Sequence, residues 1–554
     1  MKKNERYEID IDGLGKNGEG IGRLDGFAFF VEGAIPGDRV EMHILKIKNA
    51  YGYGKLVRVI TPSANRAEPP CPVFARCGGC TLQHMTYAAQ LDIKTKQVVD
   101  ALARIGGMGD VPVEGTLGME VPYAYRNKAQ FPIRAVDGKP RAGFFAARSH
   151  ALVPVEDCCT QHPANQAILQ TVLVFMEEHG ITCYDEKTHK GLVRHVLTRC
   201  GYHTKEIMVC LVLNGKKLPY SEVLAERLAA LDGVVSVVAN INTARTNVIL
   251  GGECRTIWGK PHIIDTIGGL RFEISPLSFF QVNPLQTQAL YNTALALADV
   301  KAADVVADVY CGIGTLSLFF AQKAKVVYGI EVVPQAIEDA RRNAEANGVT
   351  NATFIADRAE NAMPALVAEG IRADVVVIDP PRKGCEAAVL DAIGEMAPRK
   401  VVYVSCDPAT MARDVRVLGN KGYAVCAVQP VDMFPQTGHV ETVVALSHKK
   451  ADRYITVDVE FGEGEGLIPL DEITERAEAQ KPTARVTYAM IQAHIEENYG
   501  FKVHTAYIAE VKRALGLPMF DAPNAVEELK QPRQHPTERQ EEAIKDALKH
   551  FGII

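Results

Sequence analysis

An excess of basic charge is missing from this chain. Its 554 residues carry 61 Lys and Arg against 67 Asp and Glu, a formal net charge of −6. No global positive field announces a polyanion, so any nucleic-acid footprint must be local. Long apolar runs are missing too. No stretch is long enough to span a bilayer, which excludes spanning helices and argues against a membrane partner. Met1–Asp10 is charged and lacks an apolar core, so no signal peptide is expected and the location is expected to be cytoplasmic. The 13 cysteines should then be reduced thiols. Tryptophan occurs once, at Trp258, and is expected to pack. What remains is ordinary: 47% hydrophobic and 23% charged residues describe a soluble chain of three or four domains.

The most informative stretch is Val401–Thr410. An apolar, β-branched run from Val401 to Val404 reads as a buried strand. It ends in Ser405-Cys406-Asp407-Pro408. Strand ends of open α/β sheets are where ligands bind. Cys406 is therefore a candidate nucleophile beside a bound cofactor. The competing reading is a small buried hydrophobe.

From Ile264 onward, strands alternate with helices. Strands are expected at Val305–Val309, Val326–Ile330, Ala352–Ile355, Ala373–Ile378 and Val401–Val404, with helices at Thr315–Lys325 and Pro334–Asn347. This rhythm predicts a mostly parallel, doubly wound sheet, a Rossmann-like α/β domain. The first strand runs into Tyr310-Cys311-Gly312-Ile313-Gly314, a Gly-rich turn that is not G-x-G-x-x-G. It lets backbone approach a ligand at a helix N-terminus. Glu331 ends the next strand, placed for ribose hydroxyls. Asp357 and Asp379 end the third and fourth. The Gly-rich turn and Glu331 together favour an adenosine cofactor without requiring a pyrophosphate.

Upstream, Tyr7–Ile60 reads as a small β-barrel, with β-rich runs at Phe27–Val31, Arg39–Ile47 and Lys55–Ile60 between Gly, Pro and Asp turns. Lys46, Lys48, Lys55, Arg58 and Arg66, with Tyr51 and Tyr53 among them, suit RNA backbone contact and base stacking. A solvated face is the alternative. Gly18–Gly22 (GEGIG) and Ala34–Asp38 (AIPGD) resemble the TRAM domain, an RNA-binding barrel of RNA-modifying enzymes. Next comes Cys71-x5-Cys77-Gly78-Gly79-Cys80, with Cys158-Cys159 as candidates for a fourth ligand. Four thiolates suit zinc or an iron–sulfur cluster, and spacing alone does not decide. Leu91–Gly106 reads as an amphipathic helix. A β-rich segment follows from Tyr125 to about Ile264, with Gly191–Arg199 and Glu206–Leu213 as neighbouring strands. Arg126 and Lys128 could meet phosphates.

Several motifs together resemble the RNA uracil-C5 methyltransferases, in their TRAM-containing, iron–sulfur branch acting on 23S ribosomal RNA. They are CGGC followed by Leu82-Gln83-His84, Ser275–Pro284 (SPLSFFQVNP), Asp308–Leu318 (DVYCGIGTLSL), Asp379–Gly384 (DPPRKG), Val404–Thr410 (VSCDPAT) and His439–Thr442 (HVET). The resemblance spans roughly residues 1–450. It implies that Cys71, Cys77, Cys80 and Cys158 hold a [4Fe–4S] cluster, with Cys158 selected over Cys159 by alignment on Leu152–Val155. It implies that Gln281, Tyr310, Glu331 and Asp379 contact S-adenosylmethionine, with Asp357 on the adenine side. Cys406 matches the nucleophile, Glu441 the general base, and Phe279 an aromatic near a flipped target base. The expected substrate is 23S ribosomal RNA, with no obligate protein partner. Expected domains are 1–62 (barrel), 63–265 (iron–sulfur, with 91–121 able to pack on the catalytic domain), 266–450 (methyltransferase) and 451–554 (acidic linker and helical extension).

Two rivals belong to other classes. A radical RNA-modifying enzyme with a TRAM barrel needs a C-x3-C-x2-C cluster with an open iron, and here the spacing is x5. A non-catalytic iron–sulfur RNA-binding protein has no need of Cys406 and Glu441 beside an intact cofactor turn. Ala451–Gln480 holds nine acids against two bases and reads as a linker. Val486–Leu517 reads as two helices about Tyr499-Gly500-Phe501, resembling a helix-turn-helix, with Lys512 and Arg513 as candidate phosphate contacts.

Overall fold

In the first 61 residues, five strands close into a barrel in the order β1-β2-β3-β5-β4. They are β1 (Arg6–Leu14), β2 (Gly20–Leu24), β3 (Phe27–Glu32), β4 (Arg39–Ile47) and β5 (Tyr51–Thr61). The computed structural model describes residues 1–448, 488–515, 517, 535–551 and 553. The alternation Tyr51-Gly52-Tyr53-Gly54 shows how local sequence shapes the barrel. Successive residues of a strand face opposite sides. Gly52 and Gly54 point inward, where a Cβ would sit 2.3 Å from the Phe29 ring and 2.7 Å from Met42 Sδ. Tyr51 and Tyr53 are thereby turned outward. They cluster with Phe30 at ring separations of 5.5–5.9 Å, and Lys48 lies over both tyrosines. Two of the bases expected on this face are engaged elsewhere. Arg58 bonds Glu41 at 2.7 Å, and Arg66 bonds the buried Asp38 at 2.6 Å.

Beyond the barrel, α1 (Tyr87–Ala101) begins four residues before the expected Leu91 and ends in a π-helical turn, Leu102–Gly106. Its Val98, Ala101 and Leu102 share a core with the catalytic strands. Residues 114–117 run beside the last sheet edge, where the Leu117 N–H donates to Pro430 O at 3.0 Å.

A seven-stranded sheet follows: β6 (Lys128–Val136), β7 (Lys139–Phe145), β8 (Leu152–Pro154), β9 (Val193–Cys200), β10 (Ile207–Leu213), β11 (Val234–Ile241) and β12 (Glu253–Gly259). Strands β9 and β10 are antiparallel neighbours, as expected, and are buried along their whole length. Both faces of the sheet are covered, so each face needs apolar side chains. Val209 and Leu211 join the core under α2 (Ala164–Glu178) and α3 (Ser221–Ala229). Met208 and Cys210, on the other face, join the core of the catalytic sheet. Trp258 departs from expectation. It lies on the outermost strand β12 and is 40% exposed, because an edge strand has no neighbour to cover its ring.

A hairpin, β13 (Ile263–Ile267) and β14 (Leu270–Ile274), leads into α4 (Pro284–Ala298). The catalytic sheet then comprises β15 (Val305–Val309), β16 (Val326–Glu331), β17 (Ala352–Ala356), β18 (Val375–Ile378), β19 (Lys400–Ser405), β20 (Tyr423–Val431) and β21 (Glu441–His448). Their order is β17-β16-β15-β18-β19-β21-β20. The first five are parallel, as expected, and β21 inserts antiparallel between β19 and β20. Helices α5 (Thr315–Ala321), α6 (Pro334–Ala346), α7 (Ala359–Ala368), α8 (Ala387–Met396) and α9 (Pro408–Asn420) connect them. The order turns back at β15, so the crevice opens beyond the carboxyl ends of β15 and β18.

A second unit contains α10 (Tyr488–Tyr499), α11 (Thr505–Ala514) and α12 (Glu538–His550). Ile491, Ile495, Ile508 and Val511 pack with Ala543, Ile544, Ala547 and Leu548 of α12. The two expected helices are thus part of a three-helix core. Lys512 lies 5.7 Å from the centre of the Tyr488 ring, and Leu515 is 39% exposed. The acidic segment Ala451–Gln480 lies outside the described residues.

Candidate active site

The loop after β15 turns on Tyr310, whose φ of +73° is unusual for a side-chain-bearing residue. Gly314 follows at φ +80° and starts α5. A Cβ there would come within 3.1 Å of Ala340 and of the Phe354 ring, so only glycine lets helix and sheet approach. Glu331, at the end of β16, accepts from the N–H groups of Gly312 (3.3 Å) and Val333 (2.9 Å).

Tyr310, Gly312 and Glu331 line a cavity of about 730 Å³ together with Phe279, Gln281, Asp379, Arg382, Cys406, His439 and Glu441. Of the cofactor residues expected from sequence, Gln281, Tyr310, Glu331 and Asp379 are therefore brought together. Asp357 is not among the lining residues. Its carboxylate accepts from the Arg358 N–H (2.7 Å) and the Asn361 amide (3.2 Å), and Arg358, Ala359 and Glu360 form the wall instead.

Strand register explains how residues 35 positions apart meet. Ser405 of β19 pairs with Thr442 of β21. The next residues beyond that pair are Cys406 and Glu441, both in the cavity wall. Glu441 is only 4% exposed. Burial, then the nearby Asp379, pushes its pKa up to about 8, with Arg382 opposing. Asp379 is pushed up to about 7 by burial and by Asp308. Cys406 is pushed up to about 11 by burial, Glu441 and Asp379. This is the reverse of the lowered thiol pKa that a ready nucleophile requires. The lining carries Arg358, Arg382 and Lys383 beside Glu331, Glu360, Asp379 and Glu441, and a bound cationic ligand would favour ionisation of all three groups.

Phe279 stands 64% exposed at the cavity wall. Its loop is pinned by groups that sequence reading missed. Buried Arg199 donates to the carbonyls of Pro276 and Ser278. Asn127 donates its side-chain amide to Gln281 O (3.0 Å) and its backbone N–H to Val282 O (2.9 Å). Asn283 caps α4, accepting from Gln286 N, and donates to Met433 O at 3.1 Å. Only the Asn-Pro pair carried a local signal, that of an N-cap followed by proline.

A second cavity, of about 270 Å³, is lined by Cys71, Cys77, Cys80 and Cys158, with Gln83, Arg126 and Lys128. Cys159 is not among the lining residues. Its Sγ accepts from the Gln83 amide at 3.5 Å. Burial raises Cys80 to about 12 and pushes Lys128 down to about 8. Among the described residues, no group of three or more His, Cys, Asp or Glu side chains is gathered tightly enough to hold a metal ion. No helix among them is long and apolar enough to cross a membrane.

The tRNA (uracil-5-)-methyltransferase family model matches residues 268–449, and the TRAM domain model matches residues 2–57. An uncharacterized RNA methyltransferase of Clostridium tetani is 52% identical over 449 residues, covering 81% of this chain and 97% of the relative. The chain belongs to the RNA uracil-5 methyltransferase family. An uncharacterized RNA methyltransferase of Halalkalibacterium halodurans is 49% identical over 450 residues, covering 81% of this methyltransferase and 98% of the relative. Among solved structures, the Pyrococcus abyssi tRNA (uracil-54, C5)-methyltransferase in complex with S-adenosyl-L-homocysteine superimposes with a TM-score of 0.65 at 28% identity. It covers 79% of this chain and 100% of that one.

Proposed function

We propose that this methyltransferase transfers a methyl group from S-adenosylmethionine to C5 of a uridine in 23S ribosomal RNA. The observation that carries the reading is the meeting of Cys406 and Glu441, through the β19–β21 register, in the wall that also holds the β15 turn. The lining holds four carboxyl groups, Glu331, Glu360, Asp379 and Glu441, against three basic side chains, Arg358, Arg382 and Lys383, a small acidic excess compatible with a cationic donor. Gln281, Tyr310, Glu331 and Asp379 would hold S-adenosylmethionine, which when bound supplies an electrophilic methyl group.

Uracil C5 is too weak a nucleophile to react unaided. The Cys406 thiolate adds at C6, and the C5=C6 electron pair moves into an enolate. C5 then forms its bond to the methyl group, and the donor's carbon–sulfur pair stays on sulfur. Glu441 takes the C5 proton. The freed C–H pair rebuilds C5=C6 and expels the thiolate. A carboxyl group titrating near neutral pH suits a general base. Phe279, exposed beside the cavity, would stack on the flipped base.

Four thiols lining one cavity suit zinc or a [4Fe–4S] cluster, and the motif resemblance favours the cluster. Cys71, Cys77, Cys80 and Cys158 would hold it, in a structural role. The domain limits 1–62, 63–265, 266–450 and 451–554 belong to the same reading, with the barrel holding RNA. A tRNA substrate is the second reading, favoured by the likeness to a tRNA uracil-54 enzyme. Mass mapping of 5-methyluridine in ribosomal and transfer RNA from a deletion strain tests both. Loss from 23S RNA is expected. Loss confined to tRNA transfers the proposal to the second reading.

A further inference from the structure

Lys16 belongs to the barrel, on the turn between β1 and β2, yet its Nζ donates to Asp407, the residue after Cys406. The lysine side chain is 67% exposed and the carboxylate only 8%. The other carboxylate oxygen of Asp407 accepts from Ala409 N (3.0 Å) and Thr410 N (3.3 Å), capping α9. Its N–H donates to Ser405 Oγ at 3.1 Å. Cys406 therefore sits on a two-residue corner whose far side is tied to the helix start and to the barrel.

The same barrel turn touches the approach to Glu441. A Cβ on Gly438 would come within 2.8 Å of the Lys16 carbonyl oxygen. Gly438 N donates to Thr81 Oγ1 at 3.3 Å, and Gly18 packs on the same threonine, leaving 2.9 Å for a Cβ. Glu19 is bonded by Arg148 of the central region. The turn at residues 15–19 is thus wedged between the supports of both reacting side chains.

We propose that Lys16 is a positioning residue for Cys406, so that the barrel forms part of the catalytic architecture as well as an arm for RNA. The inference rests on the assignment of Cys406 as nucleophile. Without Lys16, Asp407 keeps a buried carboxylate oxygen with no partner, and the corner carrying the thiol loses its outer support. Misplacement of a reacting atom by a fraction of an ångström is costly in rate.

The test compares full-length Lys16→Ala, Lys16→Arg and Lys48→Ala with the parent, using uridine RNA for steady-state rates and 5-fluorouridine RNA for adduct formation. Lys16→Ala should lower kcat and the adduct rate at saturating RNA by about ten- to a hundredfold while leaving the RNA KM nearly unchanged. Lys16→Arg, which keeps the charge and a donor, should recover most of the rate. Lys48→Ala, on the outer barrel face, should raise KM instead. A thermal melt close to the parent's shows that the lysine variant folds. A parental kcat in Lys16→Ala, beside an inert Cys406→Ala, overturns the inference alone. Turnover by Cys406→Ala overturns the nucleophile assignment and the inference with it.

Discussion

Lys94 of α1 and Asp432, just past β20, form an ion pair with both side chains wholly out of water. Asp432 also accepts from the Tyr87 hydroxyl at 2.8 Å, and Lys94 donates to Phe434 O at 3.1 Å. The pair fixes the loop between β20 and β21, which leads into Glu441, the first residue of β21. Lys94→Ala leaves a buried carboxylate unpaired, and we expect a loss of about 3–5 kcal/mol in unfolding free energy. Lys94→Met combined with Asp432→Leu removes both charges and should recover much of it. Urea unfolding of the three proteins checks this; a Lys94→Ala protein as stable as the parent would show that the pair contributes nothing.

Glu441 gives a prediction in pH. Its folded pKa near 8 lies above the ordinary 4.5. Between those values the folded chain holds a proton that the unfolded chain has released, so this group's contribution to stability falls as pH rises. It is fully present below about 4.5 and gone above about 8. Glu441→Gln removes that loss. The ligand-free variant should melt higher than the parent at pH 8–9, with the gap closing towards pH 4.5. An unchanged gap across the range contradicts the buried, raised carboxyl.

The same variant separates the chemical steps. Proton removal follows methyl transfer, so Glu441→Gln should accumulate covalent RNA–protein adduct on denaturing gels. An inactive variant without adduct points to another base.

For the cluster, anaerobically purified protein should be brown and hold about four irons per chain. Cys158→Ser should lose iron and Cys159→Ser should keep it, because only Cys158 lines the cavity with the other three thiols. Stoichiometric zinc in place of iron sinks the cluster.

On the barrel, Tyr51→Ala should raise the RNA KM by roughly five- to a hundredfold, the cost of losing a stacked base, and Lys48→Ala should raise it through loss of a phosphate contact. Filter binding at several salt concentrations checks it. Unchanged affinity makes the aromatic cluster a structural feature alone.

Much of the site was legible because its signals are local. The run Val401–Val404 ending in Ser-Cys-Asp-Pro marks a strand mouth, and the glycines of the β15 turn mark a close approach. The pairing of Cys406 with Glu441 was legible only through motif resemblance. The register that produces it comes from an antiparallel strand inserted after a helix and another strand. Lys16, Lys94, Arg199 and Asp432 gave no signal, since a charged residue in sequence looks the same whether solvated or buried in a pair. Arg58 and Arg66 misled for the same reason: their acidic partners, Glu41 and Asp38, are 17 and 28 residues away. Strands β1 and β2 escaped because glycines and polar residues outnumber the inward Ile9 and Ile11.

The central claim is a covalent bond between Cys406 and the target base. Incubation of the full-length protein with S-adenosylmethionine and 5-fluorouridine RNA, followed by protease digestion and mass spectrometry, reads it directly. Fluorine at C5 blocks proton removal, so the adduct should persist on the peptide containing Cys406. Cys406→Ala should bind S-adenosylmethionine, form no adduct and transfer no methyl group. Appreciable turnover by Cys406→Ala, or an adduct on another residue, contradicts the account.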